Sequence, residues 1–324
     1  MPDVPLPPAL IILGPTAVGK SALALELALR HDAEIISLDA MQIYRGMDIG
    51  TAKASAAERA RVPHHLVDCQ PIDECSDAAQ FLARAAAAAA EIAARGRPAV
   101  FVGGTALYIK LLADGMCAAP PASPELRREL AALAEHHGSA WLHQHLLAPC
   151  DPEGAQRIQP GDLRRVIRAI EVCRLSGVPF SSLHTQWRAP RQTVPPMIGL
   201  DLTRPLLYPR IEARVDRMMA AGLLDEVRRA RDAGIERNRS AAQAIGYKEL
   251  LAHLRGDCTL DEAVALIKRN TRRFAKHQLT WFRKDARIAW FTITRFATTT
   301  ALADAVEGWL AGTVPSDPPP ARIN

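Results

Sequence analysis

One run of this chain is built for phosphates. Gly14-Pro15-Thr16-Ala17-Val18-Gly19-Lys20-Ser21 satisfies the pattern G-x-x-x-x-G-K-[ST]. In such a loop the glycines let successive backbone N–H groups turn inward around an anion, the lysine meets phosphate oxygens, and the hydroxyl offers an oxygen to Mg²⁺. An apolar run, Ala9 to Leu13, precedes the motif and a helix-forming run, Ser21 to Arg30, follows it. A helix starting there adds its positive dipole end to the cradle. The motif specifies a polyphosphate. It does not specify which one, or its fate.

Further reactive side chains stand just beyond other apolar runs. Asp39 follows Glu34–Leu38; its carboxylate could take a proton from a nucleophile or hold Mg²⁺ through water, with a plain loop cap as the bland alternative. Gly103-Gly104-Thr105 follows Pro98–Val102. Paired glycines admit a ligand close to the backbone and the Thr105 hydroxyl could donate to a phosphate oxygen, although an ordinary glycine turn would look the same. No aspartate closes that run as a Walker-B residue would. This leans against ATP hydrolysis, yet Asp39 could stand in. Arg210 and Arg214 lie one helical turn apart, and paired guanidinium donors match pyrophosphate oxygens.

A second kind of chemistry is written in charge. The chain of 324 residues has a formal net charge of +5. Between Thr259 and Asp285, seven Lys/Arg stand against three acidic residues, nearly the excess of the whole chain. Lys268, Arg272 and Lys276 repeat every four residues, with Arg269, Arg273 and His277 beside them and Trp281-Phe282 following. Two adjoining basic rows near aromatics fit a nucleic-acid groove, while a solvated helix face is the plain alternative. Arg164, Arg165 and Arg168 form a smaller basic cluster. His136, His137, His143, His145 and Cys150 match no zinc spacing.

The elements that must position these residues alternate. Residues 9–13, 34–38, 98–102 and 197–200 read as strands buried on both faces, with helices between them. Leu23, Leu25, Leu27 and Leu29 alternate like a strand, but the intervening alanines and the phosphate loop require a helix, apolar nearly all round. The fold expected is α/β: a P-loop NTPase-like parallel sheet flanked by helices, with ligands beyond the carboxyl ends of the strands. Pro120-Pro121-Ala122-Ser123-Pro124 marks a boundary, after which the pattern is helical. The organisation read is residues 1–118 as the first part of the core, 119–196 as an all-helical insertion, 197–314 as the second part, and 315–324 as a Pro-rich, disordered tail. A capping box at Thr259–Glu262 opens the basic helix.

Composition bounds the setting. Hydrophobic residues make up 48% of the chain, enough for a large core, and no apolar run is long enough to span a membrane. The first eight residues carry no signal-peptide pattern, and the six cysteines form no C-x-x-C pair. Both point to reduced thiols and a cytoplasmic protein.

Several separated motifs, in one order, resemble those of the tRNA dimethylallyltransferases (tRNA isopentenyltransferases), in their bacterial form. They are the phosphate loop; Asp39 through Lys53, DAMQIYRGMDIGTAK; His64-His65-Leu66-Val67-Asp68; Val102 through Tyr108; Asp162 through Val172; Ala244-Ile245-Gly246-Tyr247; and Ala275 through Arg283, AKHQLTWFR. The resemblance covers nearly the whole chain. It implies transfer of a dimethylallyl group from dimethylallyl diphosphate to N6 of the adenosine immediately 3′ of the anticodon, with release of diphosphate. It implies Asp39 and Thr105 as catalytic residues. Gly14 to Ser21 and Arg214 would hold diphosphate, with Mg²⁺ on Ser21. tRNA contacts would come from Asp39, Ala40, Met41, Gln42 and Thr105, from Arg164, Arg165, Val166, Ile167 and Arg168, and from Lys268, Arg269, Arg272, Arg273, Lys276 and His277. The acceptor base would flip out of its stack, and the enzyme would act as a monomer. Two departures stand out: Ala40 replaces the serine common after the aspartate, and His277 replaces an arginine, which weakens a phosphate contact and makes it depend on pH. Other readings of the phosphate loop remain: a small-molecule kinase or NTPase, prenyl transfer to a free adenine nucleotide, or a non-catalytic RNA-binding protein.

Overall fold

Six short strands pair into one parallel sheet. A computed structural model of the chain describes residues 5–117, 119–187 and 194–320. The strands are β1 (Ala9–Leu13), β2 (Glu34–Ser37), β3 (His64–His65), β4 (Ala99–Gly103), β5 (Met197–Asp201) and β6 (Ile288–Thr292), in the spatial order β3-β2-β4-β1-β5-β6. Leu10 pairs with Val100 on one side of β1, and Ile12 pairs with Ile198 on the other. Leu10 to Leu13 are at most 1% exposed, as continuous apolar runs covered on both faces must be. β2, β4, β1 and β5 fall where the apolar runs placed them, within a residue. β3 and β6 escaped the sequence reading. β3 has only two residues, and the β6 sequence Ile-Ala-Trp-Phe-Thr directly follows the charged stretch that drew attention away from it.

The helix after the phosphate loop, Lys20–Arg30, settles the conflict in its leucines. Leu23, Ala24, Leu27 and Ala28 are buried, while Leu29 is exposed and Leu25 half-buried. The helix therefore buries one face only, less than the sequence suggested. The Pro-rich tail also departs from expectation at its start. Asp317 donates its backbone N–H to the Trp290 carbonyl at 2.8 Å, and its carboxylate accepts from the Thr292 N–H at 2.7 Å. Two backbone-directed hydrogen bonds on β6 order the segment around Asp317.

Two compact units result. Leu111–Val194 is the inserted one, and the segments through Lys110 and from Pro195 build the sheet unit. The described residues of the insertion are helical, with Pro124–His137 and Leu163–Ser176 packed through Leu130, Leu142, Leu147, Val166, Ala169 and Ile170. Its core holds a carboxylate. Glu171 is fully buried and accepts from Arg127 Nε and Nη2, both at 2.8 Å, from Arg168 Nη1 at 2.5 Å, and from the Ser123 N–H at 2.7 Å. Burial pushes its pKa up, but Arg127, Arg168 and the Ser123 amide outweigh it and hold the carboxyl below the usual range.

Two residues of the expected RNA cluster are thereby engaged elsewhere. Val166 is buried in the insertion's core, and Arg168 is bound to Glu171 and to the Pro120 carbonyl at 2.9 Å. Glu171 lies three residues after Arg168 on the same helix, so the spacing offered this partner; what it did not show is that Glu171 is buried. Arg164 and Arg165 remain exposed.

A carboxylate with a depressed pKa contributes stability above its unfolded pKa and loses it as pH falls through the folded one. Glu171→Gln should therefore cost the insertion about 2 kcal/mol at pH 7 and far less once the pH has fallen below the folded pKa of the carboxyl. Hydrogen exchange over Leu163–Ser176 in the full chain measures both values.

Candidate active site and nucleic-acid face

Three strand ends meet at the carboxyl edge of the sheet. The phosphate loop follows β1, Asp39 lies just beyond β2, and Gly104-Thr105 follows β4. The loop begins at Gly14, with φ +146°, where a Cβ would sit 2.6 Å from the Leu200 carbonyl oxygen. Only glycine fits both that conformation and that approach. Lys20 folds back over the loop and donates to the Pro15 carbonyl at 2.8 Å.

Asp39 and Thr105 are brought together by short polar links. The Thr105 N–H donates to the Leu38 carbonyl at 3.3 Å, and Thr105 Oγ1 accepts from the Ala40 N–H at 3.2 Å. Asp39 Oδ1 accepts from the Met41 N–H at 2.8 Å, an Asx turn that fixes one carboxylate oxygen. Gln42 is half-buried and bonded within the protein: its Oε1 accepts from Ser37 Oγ at 2.8 Å and its Nε2 donates to the Thr51 carbonyl at 3.1 Å.

A cavity of about 680 Å³ opens over the loop. Gly19, Lys20 and Ser21 line one wall, and the helix Arg204–Ala220 supplies Arg210, Arg214 and Arg217 from the other. Arg214 Nη1 reaches Thr16 Oγ1 at 3.5 Å. Burial, reinforced by Arg214, pushes the Lys20 amine down to about 7, against the pull of Asp39. Burial also lowers the Arg214 pKa, again opposed by Asp39. Four cations thus surround an open space with one carboxylate in electrostatic reach. Such a field suits a ligand with two or more negative charges.

Gln278 was missed as a site residue and joins two of these loops. It is 4% exposed, on the basic helix Leu260–Phe282. Its Oε1 accepts from the Thr16 N–H and its Nε2 donates to the Gly104 carbonyl, both at 2.9 Å. A Cβ on Gly104 would come within 2.1 Å of that Nε2. Arg217 was also missed. The 3.6-residue period extends the Arg210–Arg214 row to it, so the signal was present.

The basic helix divides into two sides. Lys268 pairs with Asp216 at 2.6 Å, while Arg272 pairs with Glu212 and lies 5.9 Å over the Tyr208 ring. These two residues are turned to the Arg204–Ala220 helix and are paired there, whereas the sequence alone showed no partner for their row. Their acidic partners sit far off in sequence, so spacing along one helix could not show them. Arg269, Arg273, Lys276 and His277 are exposed, and Phe274 and Trp281 are exposed among them at 44% and 43%. Phe282 turns to the core. In the insertion, His136, His137, Trp141 and His145 stack ring on ring at 4.4, 4.5 and 4.8 Å. Among the described residues no cluster of three or more His, Cys, Asp or Glu is placed to hold a metal ion, and no helix is long and apolar enough to cross a membrane.

Known proteins resemble this chain in sequence and in fold. The family described as IPP transferase matches residues 42–285. The chain belongs to the IPP transferase family. A tRNA dimethylallyltransferase of Geobacter metallireducens is 48% identical over 86% of this chain and 91% of its own length, and one from Shouchella clausii is 45% identical over 94% and 97%. The solved structure of a tRNA isopentenylpyrophosphate transferase from Bacillus halodurans is similar at 41% identity and a TM-score of 0.69, over 94% of this chain and 96% of that one. A eukaryotic dimethylallyltransferase acting on tRNA, 26% identical, reaches a TM-score of 0.76 over 96% and 81%. As an IPP transferase family member the chain is a transferase, and its parallel sheet is the P-loop-like fold of these relatives.

With its pKa brought down to about 7, the Lys20 amine should make diphosphate binding pH-dependent. The ammonium form should bind better, so affinity should level off about one unit below pH 7 and fall above it, by about fivefold between pH 7 and 8. Calorimetry with dimethylallyl diphosphate in two buffers should detect proton uptake near pH 8. Lys20→Arg, whose charge does not titrate, should abolish that uptake.

Proposed function

We propose that this chain transfers the dimethylallyl group of dimethylallyl diphosphate to N6 of the adenosine immediately 3′ of a tRNA anticodon. The observation that carries the chemistry is the placement of Asp39 beside a cavity walled by Lys20, Arg210, Arg214 and Arg217. The cations take the diphosphate. As the allylic carbon–oxygen bond breaks, negative charge collects on the departing oxygen, where Lys20 and Arg214 stabilise it. The exocyclic amine is a weak nucleophile, its lone pair delocalised into the ring. Asp39 hydrogen-bonds that amine through the carboxylate oxygen the Asx turn leaves available, orients it toward the allylic carbon and accepts its proton. Thr105 fixes the Asp39–Ala40 backbone, and its hydroxyl hydrogen would be donated to the same phosphates.

Mg²⁺ suits this donor set. The Ser21 hydroxyl is an exposed oxygen on the cavity wall, and a hard cation takes one protein oxygen together with diphosphate oxygens and water. When bound, Mg²⁺ would neutralise charge on the leaving diphosphate.

The acceptor is read from the exposed rows. Arg269, Arg273, Lys276 and His277, interleaved with Phe274 and Trp281, form a surface for RNA phosphates and unstacked bases. Arg164 and Arg165 offer a second contact on the insertion. A free nucleotide would require neither surface.

Labelled donor with Mg²⁺ and either tRNA or AMP tests the reading: label should enter tRNA. Label in AMP alone would overturn the polymer acceptor. Asp39→Ala should reduce transfer about 10³-fold or more with tRNA affinity retained; an equal loss of affinity would make Asp39 a recognition residue. Arg273→Ala should reduce the slope of log Kd against log salt by about 1.

A further inference from the structure

A buried carboxylate that does not line the cavity has no role in the chemistry described so far. Glu226, on the helix Leu223–Asp232, is 3% exposed. Its Oε2 accepts from the Asp48 N–H at 2.9 Å and the Ile49 N–H at 2.8 Å, and its Oε1 from the Gly50 N–H at 3.0 Å and from the Tyr247 hydroxyl at 2.5 Å. Three successive backbone amides form a concave nest for an anion, here filled by a side chain from about 180 residues away. Burial and the adjoining Glu226 charge push the Tyr247 phenol well above its usual range, so it remains a donor. A Cβ on Gly50 would meet the Tyr247 ring at 2.5 Å, so the ring lies against the loop backbone.

The loop so held leads directly to the reacting groups. Ala52 lines the diphosphate cavity and sits at φ +47°, a conformation costly to a residue with a Cβ and kept only where its surroundings enforce it. Lys53 closes the loop: its buried ammonium donates to the Tyr44 carbonyl at 2.9 Å, and to Asp48 Oδ1 and Asp68 Oδ1 at 2.6 Å each. The Thr51 carbonyl takes the Gln42 amide at 3.1 Å, Gln42 takes the Ser37 hydroxyl at 2.8 Å, and Ser37 Oγ accepts from the Asp39 N–H at 3.4 Å.

We propose that Glu226 and Tyr247 are positioning residues for prenyl transfer, pinning residues 48–53 so that the cavity wall at Ala52 and the Asp39 carboxylate stay in register with the bound donor. The role rests on the function proposed above. The bonds at Glu226 and Lys53 are charge-assisted, and the neutral bonds through Gln42 and Ser37 continue the chain to Asp39, so a shift at the nest is passed on through it. A displacement of about 1 Å at a reacting group can slow a reaction about a hundredfold.

Tyr247→Phe removes one hydrogen bond, keeps the ring against Gly50 and leaves the carboxylate on its three amides. We expect faster hydrogen exchange at Asp48, Ile49 and Gly50, a kcat about tenfold lower and a raised KM for dimethylallyl diphosphate, with tRNA affinity unchanged. Glu226→Gln, which sets an amide NH₂ against the same donors, should show the same pattern more strongly. A merely structural pin would lower activity only in proportion to unfolded protein, with KM for the donor unmoved. That result, or faster exchange with normal kcat, overturns the positioning role. Wild-type protein that prenylates no tRNA would instead overturn the proposed function, and the positioning role with it.

Discussion

A single buried amide holds the two halves of the proposed chemistry at a fixed separation. Gln278 spends its acceptor on the Thr16 N–H of the phosphate loop and its donor on the Gly104 carbonyl beyond β4. Both bonds are needed, because an amide buried without partners costs several kcal/mol. From Gly104 the chain passes to Thr105, whose hydroxyl takes the Ala40 N–H and so fixes the backbone beside Asp39. The relay Thr16–Gln278–Gly104–Thr105–Ala40 thus ties the leaving-group site to the base. It also couples the helix bearing the exposed basic rows to the donor site, since Gln278 sits one residue after His277 on that helix.

Electrostatics gives the cavity its selectivity. Lys20, Arg210, Arg214 and Arg217 line one cavity, and burial first, then repulsion from Arg214, brings the Lys20 pKa down to about 7. A polyanion relieves that repulsion and so draws affinity from a cost already present in the free protein. Asp39 is the acidic group that opposes both the Lys20 and Arg214 shifts. Its charge beside the diphosphate is unfavourable for phosphate binding. It is favourable for a cationic allylic fragment and for taking a proton, which is why the arrangement suits bond cleavage at carbon.

Local order carried the sequence reading where chemistry and element coincide. The phosphate loop, Asp39 and Gly103-Gly104-Thr105 each follow an apolar run, so strand ends located them without any knowledge of tertiary contacts. Non-local pairing hid the rest. Gln278 meets Thr16 across 262 residues, and Glu226 meets the 48–50 amides across the sheet unit. Neither carries a local signal. Lys268 and Arg272 look identical in spacing to Arg269 and Arg273, and only the acidic Asp216 and Glu212 on a neighbouring helix separate the two rows. Val166 packs into the insertion's core and Arg168 bonds Glu171, a partner only three residues on, whose burial is what spacing along the helix does not show.

The central claim is that the phosphate loop holds a leaving group and that bond cleavage occurs at carbon. A donor labelled at once in the dimethylallyl carbon and in both phosphorus atoms tests it directly. After turnover with tRNA, the account predicts carbon label on N6 of the adenosine 3′ to the anticodon and all phosphorus label in free diphosphate. Phosphorus label on the acceptor, or release of orthophosphate without carbon transfer, would contradict it.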